Sequence, residues 1–161
     1  MIRILTLLAM LIPGVAHALS CSPPNAAGDV HHSLTDPNLM VVVGELVPPD
    51  VVQKRSGEET LWTEAEFTGV QLSGLGEQAV AKPISIAATC IGIWCAELPV
   101  TPFSGLFVLS SFDGRREPVL HLNACAWGVY EEPDRKQREI LIRCLRERGC
   151  LESDFAYFSK Y

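Results

Sequence analysis

Leu39-Met40-Val41-Val42-Val43-Gly44-Glu45-Leu46 is the stretch on which the reading of this chain turns. Three consecutive valines favour an extended backbone over a helix, because a branched Cβ is stiff in a helix and packs well on a pleated surface. Asp36-Pro37-Asn38 precedes the run and Pro48-Pro49 follows it, so it is bounded on both sides by turn-forming residues. A strand with one solvated face alternates apolar and polar residues. This one is apolar almost throughout, so the sequence predicts burial on both faces over part of its length.

Further along, a polar segment from Asp50 to Glu59 leads to a second strand near Leu61–Thr68. Leu61, Thr63, Ala65 and Phe67 would share one face there, with Trp62, Glu64, Glu66 and Thr68 on the other. Gly69, Gly74 and Gly76 read as breaks. A third strand is expected from about Pro83 to Ala88, a fourth from Leu106 to Ser111 and a fifth from Val119 to Asn123. Asp113-Gly114 marks a turn between the last two. Five short strands with no helical period before residue 130 predict a mainly β domain, a small antiparallel barrel or sandwich.

Beyond it the character changes. Pro133 through Arg148 reads as a helix, with Glu131, Glu132 and Asp134 at its start and Arg143, Arg146 and Arg148 at its end. That charge order complements the helix dipole. Ile140, Leu141, Cys144 and Leu145 form an apolar stripe, and Gly149 is the expected left-handed stop. The tail carries Phe155, Tyr157, Phe158 and Tyr161, read as packing at a terminus, with an aromatic contact surface as the alternative.

On the other side of the quoted strand, Leu19 to Asn38 reads as loop with at most one helical turn, because Pro23, Pro24, Gly28 and Pro37 punctuate it. Before that, Arg3 is followed by an apolar run from Ile4 to Ala16 and by Ala16-His17-Ala18, the layout of a cleavable signal peptide over residues 1–18. The expected mature chain, residues 19–161, is one domain by length: barrel to residue 130, helix and tail over 131–161. Ala18-Leu19-Ser20-Cys21 also resembles a lipid-attachment box, with Ala18 and Leu19 in each other's favoured places, so a lipid anchor on Cys21 is the competing outcome.

The full chain carries 13 basic and 19 acidic residues, a net of −6. Loss of Arg3 deepens that acidity, which argues against nucleic acid, where affinity comes from Lys and Arg on phosphates. It argues equally against anionic membrane surfaces. No later apolar run reaches the roughly 20 residues of a membrane-spanning helix.

Export turns the six cysteines into a disulfide framework. Cys144 and Cys150 flank the expected helix end, where the chain folds back on its last turn, so they are paired. Cys90 and Cys95 enclose Ile91-Gly92-Ile93-Trp94, a loop short enough to close locally. Cys21 is left with Cys125. Export and the lack of Cys-x-x-Cys spacing count against structural zinc and against thioredoxin-like redox chemistry.

The order of elements resembles the netrin-like domain, the OB-fold barrel of the tissue inhibitors of metalloproteinases. The resemblance spans residues 19 to about 130 and rests on Ser20-Cys21-Ser22-Pro23-Pro24, Val41-Val42-Val43-Gly44-Glu45-Leu46, Ala88-Thr89-Cys90, Leu106-Phe107-Val108-Leu109 and Leu122-Asn123-Ala124-Cys125. It implies a five-stranded OB-like barrel with a C-terminal helix, and a Cys21–Cys125 bridge, the same pair left over above. It also implies that a first cysteine should pair with Cys90, but that position is Leu19, and Cys95 lies nearby. The inhibitors chelate a protease's zinc through the amine and carbonyl of their first residue. Cleavage after Ala18 would leave Leu19 with both groups, though without the locking disulfide.

No catalytic motif stands out. There is no Gly-x-Ser-x-Gly elbow, and Ser110-Ser111 lies in an ordinary strand. His31-His32 near Asp29 and Asp36 reads as loop histidines, His121 as an outer-face residue, and Glu58-Glu59 and Glu131-Glu132 as solvated or dipole-matching pairs. No cofactor or metal site is expected. The sequence points instead to an exported binding module, periplasmic or secreted, that recognises a protein or a glycan through barrel-end loops. Its candidate contact loop is Ile91, Ile93 and Trp94, preorganised by the flanking cysteines. The competing reading puts Trp94 inside as a plug for one barrel end.

Overall fold

A computed structural model describes residue 21 and residues 25–49, 60–91, 93–111, 117–125 and 128–158. The expected signal peptide, the lipid-attachment box apart from Cys21, Leu19, Glu58-Glu59, Asp113-Gly114 and Tyr161 lie outside the described residues. The elements run α1 (Ala26–Ser33), β1 (Leu39–Val47), β2 (Leu61–Ser73), β3 (Gly76–Ala88), β4 (Cys90–Ile91), β5 (Trp94–Cys95), β6 (Phe103–Ser110), β7 (Val119–Leu122), β8 (Val129–Tyr130), α2 (Arg135–Glu147) and α3 (Glu152–Phe158).

Five strands close into an OB-like barrel in the order β1-β2-β3-β7-β6, because β1 pairs with β2 on one edge and with β6 on the other. All of its ladders are antiparallel except β3–β7, which is parallel from Ser85↔Val119 to Ala88↔Leu122. β8 adds a short pairing outside β6. As expected from its composition, β1 is buried on both faces. Val42 and Leu46 point into the barrel beside Phe67, Ile84, Phe107 and Leu120. Val41 and Val43 point outward beneath the helices, where they meet Val30, Leu106, Leu141 and Cys144. The alternation predicted for β2 also holds, with Ala65 and Phe67 inside and Trp62, Glu64 and Glu66 outside.

The glycines behave differently from the prediction. Gly69 does not break β2; it sits within it, and β2 and β3 form one long hairpin around Gly74-Leu75. Gly69 pairs with Gly44, and Gly44 with Gly105, so three strands present a row of glycines toward the barrel interior. A Cβ at Gly44 would stand 2.6 Å from Gly69 Cα, and one at Gly69 would stand 2.7 Å from Gly44 Cα. The usual cost of glycine in a strand is offset here by a backbone approach that no side chain permits. The vacated volume is occupied by aromatic rings: Phe107 meets Phe67 edge-on at 6.1 Å and Phe103 at 5.4 Å.

α1 packs on the outside of β1 and β6, α2 against α1 and β2, and α3 against α1. α2 starts in a capping box, in which Gln137 N donates to Asp134 Oδ1 and Asp134 N donates to Gln137 Oε1, both at 2.8 Å. Its left-handed stop is Arg148 at φ 52°, not Gly149, whose amide still returns to Cys144 O at 3.0 Å. The N-terminal segment, expected to be loop, holds the two-turn α1 capped by Asn25 Oδ1 on Gly28 N. Ala26, Ala27 and Val30 are buried against the sheet, so tertiary packing overrides the turn-forming composition around them. The aromatic tail is α3. Its Asp154, buried, accepts from Leu151 N at 2.8 Å and from Arg143 Nη2 at 2.6 Å.

The glycine row gives a direct test. Gly44→Ala should destabilise by about 3 kcal/mol or more in urea unfolding, since overpacking against rigid backbone has no flexible neighbour to yield. Gly149→Ala meets nothing within 4 Å and should change stability by less than about 0.5 kcal/mol.

Candidate functional site

The expected contact loop is a small β-hairpin. β4 and β5 pair antiparallel with Cys90 opposite Cys95 and Ile91 opposite Trp94. A disulfide joins Cys90 to Cys95 across that ladder, with Cα atoms 3.9 Å apart. The root of the hairpin is tied to the barrel. Thr89 N and Oγ1 donate to Leu122 O at 2.8 and 3.1 Å, and Ala96 N donates to Thr89 O at 3.0 Å. The hairpin therefore continues β3 and leans on the end of β7 at one mouth of the barrel.

Trp94 is not the plug of that mouth. It is 45% exposed, with Ile93 at 80% and Ile91 at 36%. Ala96 and Leu98, just downstream, enter the barrel core instead. They supply the apolar volume at that mouth which the competing reading gave to Trp94. Composition alone could not separate them, since both segments are apolar and adjacent. The result is three apolar side chains held in water on a covalently closed turn, an arrangement that removes much of the ordering entropy from any binding event.

The other two disulfides also pair as the sequence predicted: Cys21 with Cys125, Cα atoms 5.5 Å apart, and Cys144 with Cys150, 4.6 Å apart. Among the described residues there is no group of three His, Cys, Asp or Glu side chains able to hold a metal ion. His31 and His32 stand on α1 rather than on a loop, where successive residues point about 100° apart. His31 meets the edge of Phe155 at 5.8 Å. His32 lines a shallow groove of about 300 Å³ together with Asp29, Ser110 and His121. In that groove His121 Nε2 lies 3.0 Å from Ser110 Oγ, a contact between β6 and β7 that sequence separation concealed. Glu132 is taken by Arg138 at 2.7 Å.

A second cleft, of about 340 Å³, lies between the start of α2, α3 and β8, and Tyr130 is in its wall. The Tyr130 hydroxyl donates to Asp29 Oδ2 of α1. Burial, and then the Asp29 carboxylate that accepts this hydrogen bond, push the phenol well above its ordinary 10. It stays protonated and clips α1 to the barrel. No pattern in the sequence marks a pair 101 residues apart.

The fold and site together define a disulfide-stabilised OB-like barrel that presents an apolar hairpin. Comparison with protein-family models, with curated proteins and with solved structures finds no match for the chain.

Two outcomes follow. Trp94→Ala should leave stability within about 0.5–1 kcal/mol of wild type, as for exposed substitutions, whereas Leu98→Ala should cost about 2–5 kcal/mol in the same urea titration. Separately, a phenol whose folded pKa is raised gives up stability as pH climbs past the unfolded value of 10. Unfolding free energy should fall above pH 10. Tyr130→Phe should start about 1–3 kcal/mol lower at pH 7, having lost a hydrogen bond to a carboxylate, but should decline less steeply above pH 10.

Proposed function

We propose that this protein is an exported, disulfide-bonded binding module of the cell envelope or extracellular space, and that it recognises its partner through the Cys90–Cys95 hairpin. The observation that carries this reading is the exposure of Ile91, Ile93 and Trp94 on a turn closed by a disulfide. Exposed apolar side chains scattered over a surface need no explanation, but a cluster that includes Trp on a rigid support matches the anchors of protein interfaces. Three disulfides suit an oxidising compartment, in agreement with the leader-like residues 1–18. Among the described residues no helix is long and apolar enough to cross a membrane.

An inhibitor-like role within the netrin-like family is a second reading. It is favoured by the barrel order and by the Cys21–Cys125 bridge, which ties the segment two residues beyond Leu19 to the end of β7. Against it, Cys90 is already bonded to Cys95. No inhibition of a panel of secreted metalloproteases at micromolar protein would remove this role. A lipoprotein role would need the Cys21 thiol, which the bridge to Cys125 consumes.

Intact mass of the exported protein decides the covalent form. A chain beginning at Leu19, lighter by the six hydrogens of three disulfides than its reduced form, is expected. A diacylglyceryl adduct on Cys21 would overturn it. For the site, extracellular and envelope proteins and glycans are screened in parallel with wild type and with Trp94→Ala/Ile93→Ser. Binding should fall at least tenfold in the variant while its thermal midpoint is unchanged. A partner that binds both equally would move the site away from the hairpin.

A further inference from the structure

Beside the hairpin lies a sheet face whose described charged side chains are all acidic. Trp62, Glu64 and Glu66 alternate along β2 on its outer side, and Val47 of β1 stands opposite Glu66, with Glu45 one step further along. All five are exposed, Trp62 and Val47 each by about two fifths. Among the described residues Glu45, Glu64 and Glu66 make no ion pair. The described Lys and Arg side chains gather elsewhere. Arg135, Lys136, Arg138, Arg143 and Arg146 are on α2, and Arg148 is its cap. Lys82 is the one described Lys or Arg in a strand, and it stands opposite Phe67, on the side of the sheet that faces the barrel interior.

The register sets the distance from this face to the hairpin. Glu64 pairs with Ser85 and Trp62 with Ala87, and β3 then continues to Cys90. Five residues separate Ser85 from Cys90, about 17 Å of extended chain at about 3.3 Å per residue. A partner segment of about six to eight extended residues would therefore reach from Trp94 to Glu64 and Glu66.

We infer that the hairpin's partner is a protein segment that offers an apolar side chain to Trp94 and, a few residues away, Lys or Arg side chains to the face bearing Glu45, Glu64 and Glu66. This rests on the hairpin being the binding site, and adds the chemistry of what it binds. Carboxylates sharing one sheet face repel one another, and basic side chains relieve that repulsion while acidic partners are excluded.

Synthetic eight-residue peptides test it: alternating Leu-Lys, Leu-Ser and Leu-Glu, titrated into the full disulfide-bonded protein and followed by calorimetry. The Leu-Lys peptide should bind at least tenfold more tightly than Leu-Ser, and Leu-Glu should not bind. Glu45→Gln/Glu64→Gln/Glu66→Gln should reduce Leu-Lys affinity to that of Leu-Ser and leave Leu-Ser unchanged. Equal binding of Leu-Lys and Leu-Ser to wild type would overturn the charge preference and leave the hairpin site standing. An equal loss in the control Glu131→Gln/Glu152→Gln would assign the effect to net charge and overturn the face. Absence of any binding to wild type, or undiminished Leu-Lys binding by Trp94→Ala, would overturn the hairpin reading and this inference with it.

Discussion

Strand β1 is paired along both edges and buried on both faces, and the rest of the molecule depends on that double constraint. Its pairing with β2 and β6 closes the barrel, so no long edge is left open along it. Its inward residues fill the barrel, and its outward valines supply the floor on which α1 and α2 rest. A strand can serve two partners so closely only if the sheet curves hard around it. The row Gly69, Gly44 and Gly105 allows this, by removing the Cβ atoms at the points of closest backbone approach. The aromatic trio Phe67, Phe103 and Phe107 then occupies the space inside.

That closure decides what is displayed. Once Ala96 and Leu98 turn into the core, Ile91, Ile93 and Trp94 are left exposed at the barrel mouth, and the Cys90–Cys95 disulfide keeps them from collapsing back onto the surface. The two local disulfides hold short segments in place, while Cys21–Cys125 spans 104 residues and joins the N-terminal arm to the segment that follows β7. In a chain-entropy account the long bridge restricts the unfolded state most, by about 4–5 kcal/mol, against about 2 for each short one.

Charge is divided between the layers. The helical layer neutralises itself: Arg143 with buried Asp154, Arg138 with Glu132, Arg135 with Glu139. Only the Arg143–Asp154 pair has a largely buried partner, and the exposed pairs contribute little to stability. The glutamates of the barrel face have no such partners among the described residues. Three of the nineteen acidic residues, Glu45, Glu64 and Glu66, thus come to share one face only when the strands are assembled.

Local signals were legible where one short stretch contains its own physics. The double burial of β1 was written in its unbroken apolar run, α2 in its charge order and stripe, and the two short disulfides in their spacing. The positions that misled are those where a distant contact reverses a local preference. Gly69 reads as a breaker until Gly44 is placed against it. Asn25 reads as loop among prolines until the sheet buries Ala26, Ala27 and Val30. The sequence by itself determined a mainly β, disulfide-bonded domain with a capped C-terminal helix, because alternation, capping and loop closure act over a few residues. Tertiary structure alone decided that Leu98 rather than Trp94 fills the barrel mouth, that Tyr130 meets Asp29, and that three glutamates share one face. Each of those depends on which strands the chain brings together, and free energy of that kind is shared among residues far apart in sequence.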